Sequence, residues 1–298
     1  MADPILPPQF TLKSVNITNA FENTPPPQDF VFPGLLAGSV GALVSPGATG
    51  KSFLMLEAAM AVAGGTDLLG FEPSKSGGVL YFAAEDPTVE LQRRVHAVGA
   101  HLGQEARAAV AKNLYLVDAF GQQNNIMDND FRDFLISRCL RPDGSQAVRL
   151  IVFDTVSRIH QLDENSNRDM IQLIGQLETI AARTGAAIIF LHHVSKSSAS
   201  NGVADQQQAA RGASALIDNA RWCGFVVKMT KEEAEQFNID EDERRFYVRY
   251  GVSKQNYGSP LAEKWMFRHE GGVLKIHDIS KPMPKAMKTA TNFNGGRW

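Results

Sequence analysis

The sequence predicts an α/β fold, a mainly parallel sheet flanked by helices with a small antiparallel C-terminal extension. Three observations carry that expectation. From Gly38 onward, short apolar runs alternate with amphipathic stretches, the alternation needed by a parallel sheet covered on both faces. Beyond residue 243 the pattern becomes strand-like runs separated by Gly271-Gly272, which reads as an antiparallel hairpin. The 298 residues are 44% hydrophobic and 21% charged, enough apolar material for a full core.

Seven of the 14 prolines fall between Pro4 and Pro33. Proline removes backbone donors and favours extended chain, so residues 1–33 read as an extended N-terminal arm with one short helix near Ile17–Phe21. Such an arm is either a disordered tail or a segment packed on a neighbouring subunit. Residues 34–279 read as one folded domain. Val40–Val44, Val79–Ala83, Leu114–Val117, Leu150–Phe153 and Ala187–Leu191 are short and apolar enough for buried strands. Helices are expected at Phe53–Ala63, at Thr88–His101 after Pro87, and over 168–184, where Met170, Leu173, Ile174, Leu177, Ile180 and Ala181 share one face. Arg244–Val252, Lys264–His269 and Val273–His277 supply the antiparallel strands. Residues 280–298 carry Lys281, Lys285, Lys288 and Arg297 among prolines and glycines and read as a mobile basic tail.

A net charge of −2 gives no global basic field for coating nucleic acid, yet it permits DNA in a local basic channel. Two cysteines, Cys139 and Cys223, make neither a disulfide framework nor a metal cluster. With no signal-peptide pattern and no apolar run long enough for a bilayer, the expected location is cytoplasmic, with no membrane partner.

Chemistry enters at Ser45-Pro46-Gly47-Ala48-Thr49-Gly50-Lys51-Ser52, which lies between a strand and a helix. The phosphate-binding loop has the form G-x-x-x-x-G-K-[ST] in that context. Here Ser45 replaces the first glycine, while the Gly50-Lys51-Ser52 end is intact. Loop amides and a helix N-terminus offer donors and positive potential to phosphate oxygens. The expected ATP cradle is therefore Pro46, Gly47, Ala48, Thr49, Gly50, Lys51, Ser52 and Phe53, with Lys51 reaching the β- and γ-phosphates and Ser52 ligating Mg²⁺. Leu150–Phe153 ends in Asp154, the pattern that orients Mg²⁺. Val79–Ala84 ends in Glu85-Asp86. Strand C-terminal ends point into the ligand crevice of such a sheet, so Glu85 is the expected general base and Asp86 the cap of the following helix. His192 and His193 follow the strand Ala187–Leu191. Adjacent strand residues face opposite sides, which argues against a shared metal, and one of the two is placed to sense a γ-phosphate.

These segments, in this order, resemble the RecA/DnaB-type hexameric ATPases, and more specifically the small RepA-type plasmid replicative DNA helicases. The resemblance is carried by Val44-Ser45-Pro46-Gly47 with Gly50-Lys51-Ser52, Ala84-Glu85-Asp86-Pro87 and Phe190-Leu191-His192-His193. Further along it rests on Asp205-Gln206-Gln207-Gln208 with Arg211-Gly212, on Asp218-Asn219-Ala220-Arg221-Trp222, and on Gly251-Val252-Ser253-Lys254 with Asn256-Tyr257-Gly258. It spans about Phe21 to His277 and includes the serine at the start of the loop. It implies a RecA-like P-loop NTPase core and a homo-oligomeric ring, usually a hexamer, with ATP between subunits. It also implies 5′-to-3′ movement on single-stranded DNA, duplex unwinding, and a plasmid initiator or primase as possible partner. Arg221 matches the arginine finger that reaches a neighbour's site. Lys254 matches a second basic finger, although Asn256 stands where relatives usually carry another arginine. His193 is the implied γ-phosphate sensor. The loop from Ser195 to Gln208 corresponds to one lining the central hole, with Lys196 as its DNA contact. Two other readings remain: a RecA-like DNA-dependent ATPase acting in recombination or as a switch without unwinding, and an ATP-binding assembly protein whose ring is structural.

Overall fold

The computed structural model describes residues 14–122, 124–194 and 214–279. Lys196, the rest of the loop Ser195–Gln208, residues 1–13 and the basic tail from 280 lie outside them.

The chain opens with α1 (Ile17–Glu22), capped by the Asn16 side chain, which accepts from the Asn19 amide. None of its residues is buried; Val15 and Phe21 are 74% and 86% exposed. The helix expected near Ile17–Phe21 is present, and its apolar side chains face away from the chain's own core. β1 (Phe30–Phe32) and β2 (Leu35–Leu36) form a small hairpin through Gly34, whose φ of +80° suits a residue without Cβ. Val31, Phe32 and Leu35 are buried.

The main sheet has nine strands: β3 (Val40–Ser45), β4 (Gly78–Ala83), β5 (Leu114–Asp118), β6 (Val148–Asp154), β7 (Ala187–His193), β8 (Trp222–Lys228), β9 (Tyr247–Gln255), β10 (Lys264–Arg268) and β11 (Leu274–Ile276). Their spatial order is β11-β10-β9-β8-β3-β7-β6-β4-β5. From β8 to β5 neighbouring strands are parallel; from β8 to β11 they are antiparallel. The helices are α2 (Lys51–Val62), α3 (Thr88–Gly99), α4 (Gln104–Asn113), α5 (Asn129–Arg138), α6 (Asn167–Thr184), α7 (Ser214–Asn219), α8 (Lys231–Phe237) and α9 (Glu241–Arg244). The predicted α/β architecture is the observed one.

Two cores lie on the two sheet faces. One packs α2 and α3 with the apolar residues of β10 and β11; the other packs α5, α6 and α7. Every apolar residue of the expected α6 stripe is buried, and the helix runs from the Ser166 cap to Gly185 in the left-handed region. α2 lacks a polar face because the sheet covers one side and the β10–β11 hairpin the other, so ten of its 12 residues are buried. The strand expected over Arg244–Val252 needs correction. Arg244 ends α9, held by its bidentate pair with Glu241, and the strand begins at Tyr247.

One ion pair anchors the first hairpin to the start of β6. The Arg149 guanidinium, 5% exposed, donates two hydrogen bonds to Asp29 at 2.8 and 2.6 Å and a third to the Phe30 carbonyl at 2.7 Å. The Arg149 bond is the main cause holding the Asp29 carboxyl well below the ordinary aspartate value of 3.8. A depressed carboxylate contributes stability at pH values above its unfolded pKa and loses it as pH falls toward the folded value. Asp29→Asn is expected to cost about 1 kcal/mol at pH 7, a figure discounted for solvent screening because Asp29 is itself 41% exposed. Denaturant titration should show that difference shrinking below about pH 4.

Candidate active site

The phosphate loop leaves β3 at its C-terminal end. Ser45 is still strand, 1% exposed, and its hydroxyl donates to the Pro46 carbonyl at 3.1 Å. It needs no glycine, since its φ is not positive. The positive φ values fall instead on Ala48 (+59°) and Gly50 (+104°). The Thr49 hydroxyl donates to the Pro46 carbonyl at 2.8 Å and closes the turn. Pro46, Ala48, Thr49, Gly50, Lys51, Ser52 and Phe53 line a cleft of about 320 Å³ that Glu85, Asp86, Arg94, His193 and Arg268 complete; Gly47 is in the loop between them.

Lys51 begins α2 and is 3% exposed. Burial lowers its pKa, and the charges of Asp154, Glu85 and Asp86 oppose that shift. Asp154 ends β6 and is also 3% exposed; burial raises its pKa against the pull of Lys51. Its two oxygens are used differently. The Ser52 hydroxyl donates to Oδ1 at 3.1 Å, and the Tyr81 hydroxyl from β4 donates to Oδ2 at 2.8 Å. A hydroxyl and a carboxylate oxygen side by side, close to a buried lysine, suit a Mg²⁺ ion that keeps most of its waters and takes its remaining contacts from phosphate. The donor set therefore fits the magnesium nucleotide.

Glu85 lies just past the end of β4. The Thr155 hydroxyl donates to its Oε1 at 3.0 Å, and His193 Nε2 lies 3.6 Å from the same oxygen. The carboxyl is lowered to about 2, by His193 first, then by Thr155 and Lys51, with burial working against them. At 3.6 Å the imidazole is an electrostatic neighbour, and Thr155 makes the direct bond. β3 and β7 pair in parallel with Ser45 opposite His193, which puts the histidine beside the loop. His192, on the opposite face of the strand, has a pKa lowered by burial.

Asp86 does not cap the next helix. Pro87 occupies the cap position without a side-chain bond, and Asp118 accepts from the Thr88 amide at 3.1 Å. Asp86 instead pairs with Arg94 at 2.7 Å, and the Arg94 guanidinium lies over the Phe53 ring at 5.9 Å.

Arg221 and Lys254 are elsewhere. Arg221 precedes β8, and its amide donates to the carbonyl of Val40, the first residue of β3. Lys254 pairs with Cys223 across β8 and β9, and its ammonium donates to the Asp218 carbonyl. Both sit at the N-terminal end of β3, whereas the phosphate loop leaves its C-terminal end. At about 3.3 Å per residue, the intervening strand is roughly 17 Å long. Arg221 is half-exposed, with Glu178 3.9 Å away.

Sequence reasoning passed over Tyr81, Thr155, Arg94 and Arg268. Tyr81 reads as an ordinary strand residue, and nothing in the pattern marks the aromatic that meets Asp154. Arg268 comes from β10, 219 positions from the carbonyl of Thr49 that it meets.

A family model described as AAA domain matches residues 6–199. Among solved structures, the ATPase domain of a DnaB-like helicase is similar with a TM-score of 0.55 at 13% identity, over 81% of this chain and 86% of that one. The RadB recombinase is similar with a TM-score of 0.49 at 15% identity, over 84% and 93%. At these identities the likeness to the helicase ATPase domain speaks for a shared fold, and the RadB likeness is too low to add to it.

Removing the Tyr81 hydroxyl takes one of two side-chain donors from a buried carboxylate. Tyr81→Phe is expected to lower stability by about 1–2 kcal/mol at neutral pH. Chemical denaturation is the check; an unchanged midpoint would mean that Asp154 does not depend on this bond.

Proposed function

The chain belongs to the AAA domain family, and from that premise we propose that it is a ring-forming, ATP-driven DNA helicase. It would hydrolyse ATP, move along single-stranded DNA 5′ to 3′ and unwind duplex in plasmid or mobile-element replication, as RepA-type helicases do. The observation that carries the ring is the distance between the basic fingers and the loop. Arg221 and Lys254 lie at the far end of β3 from the phosphate loop, so neither serves the cleft of its own subunit. A homo-oligomer, a hexamer by the family resemblance, would bring them to a neighbour's cleft.

Magnesium ATP would supply the phosphoryl group passed to water. Lys51 and the loop amides would hold its phosphates, and Ser52 with Asp154 would orient the metal. Glu85 would position the attacking water and receive its proton. While Thr155 and His193 engage that carboxylate it is a weak base; His193 turning toward a γ-phosphate would release it. Arg221 of a neighbour would offset charge in the transition state, with Lys254 as a second cation and Lys196 on the DNA path. In this reading residues 34–279 form the motor, 1–33 the arm and 280–298 the tail. The exposed Val15, Ile17 and Phe21 of the arm suit a neighbouring subunit. Among the described residues no helix is long and apolar enough to cross a membrane.

On forked DNA with ATP, the wild type is expected to displace the strand and Lys51→Ala to leave it annealed. ATP turnover without displacement would instead indicate a DNA-dependent ATPase that does not unwind. Arg221→Ala should assemble normally but lose about 10³-fold or more in turnover. Mixed with wild type, it should depress activity by more than its share of subunits. A simple proportional fall would remove the trans role.

A further inference from the structure

One cation of the cleft, Arg268, has no part in the chemistry assigned so far. It is half-buried at the end of β10, and its Nη2 donates to the Thr49 carbonyl at 2.7 Å. Its guanidinium lies directly over the phosphate loop: a Cβ added at Gly50 would fall 2.5 Å from Nη2. Position 50 therefore excludes a side chain for two reasons, its φ of +104° and the arginine above it.

The other cations of the cleft are already matched. Lys51 faces Asp154, Glu85 and Asp86, and Arg94 is bonded to Asp86. Arg268 meets a neutral carbonyl, and among the described residues this single hydrogen bond uses one of its five N–H donors. The acid whose charge acts on it is Glu57, two turns into α2. That side chain is buried; its Oε1 accepts from the Leu274 amide at 2.8 Å, and its Oε2 has no partner. Burial pushes the Glu57 carboxyl up to about 8, so at neutral pH it is mainly protonated and leaves the guanidinium charge uncompensated.

The placement is built, not incidental. Glu57 fixes β11 to the helix that starts at Lys51. Gly272, between β10 and β11, comes so close to Phe53 that a Cβ there would lie 3.0 Å from the ring. β10 pairs with both β9 and β11. The antiparallel extension thus closes over the loop and delivers one positive group into the cleft.

We propose that Arg268 is a nucleotide-binding residue acting in cis, its guanidinium contacting the phosphate chain of the triphosphate held by the same subunit's loop. It rests on the nucleotide reading of the cleft and deepens it: two ends of one chain would grip the same ligand, while Arg221 would come from another copy.

Binding without turnover tests it. A fluorescent, non-hydrolysable ATP analogue with Mg²⁺ is titrated into the full chain as wild type, Arg268→Lys, Arg268→Gln and Lys51→Ala. Thermal unfolding without nucleotide verifies that each variant is folded. Arg268→Gln should bind about 10- to 100-fold more weakly, the range for losing a charge-assisted hydrogen bond, and Arg268→Lys should recover part of that loss. Arg268→Gln at wild-type affinity, or Lys and Gln equally impaired, overturns the role of Arg268. If Lys51→Ala also bound as wild type, the nucleotide reading of the cleft would fail first.

Discussion

The Asp154 carboxylate holds the site together. It stands at the end of β6, almost wholly buried, and is met by Ser52 from α2 and Tyr81 from β4. Three elements far apart in sequence therefore converge on two oxygens. A buried carboxylate is costly unless its acceptors are filled or a cation is near. The donors and Lys51 meet that need only in part, because burial still raises its pKa. The site is thus electrostatically poised for a further positive charge. The same constraint explains why Lys51 can be buried at all: its desolvation is opposed by the three acids around it.

This arrangement was largely legible before folding, because its parts are local. Loop chemistry depends on residues 45–53, and Glu85, Asp154 and His193 each follow an apolar run whose end faces the crevice. The stripe of α6 announced its buried face in the same way. What stayed hidden were contacts with no local signature. α2 is apolar nearly all round, so periodicity shows no preferred face, and only the folded chain reveals β10 and β11 covering its second side. Glu57 looks in sequence like a solvated helix residue, yet the Leu274 amide, 217 positions away, claims it. Asp86 looked like a cap because it precedes Pro87; Arg94, two turns along, competes for it and wins. At Arg244 the local pair with Glu241 extends the helix into what reads as strand.

The sheet also sorts its cations by distance. Arg94 and Arg268 reach the phosphate loop within the same chain, one from α3 and one from the antiparallel extension. Arg221 and Lys254 are fixed by backbone and strand pairing at the opposite end of the central strands. A parallel strand is stiff along its length, so the roughly 17 Å between the two ends of β3 is not closed by side-chain motion.

That stiffness bears on how a ring of such subunits would work. If Arg221 completes a neighbour's site, its reach depends on how one sheet is oriented against the next, since it has no loop of its own to flex. Packed cores shift between discrete arrangements and do not deform continuously. A small rotation between subunits would then move Arg221 into or out of the adjacent cleft as a unit, switching hydrolysis with subunit geometry. The cis cation would behave differently. Arg268 travels with the loop it covers, through Glu57 and β11, so its contribution would be constant through such a rotation. Tight holding of nucleotide and timed hydrolysis would in this way be assigned to opposite ends of the same strand.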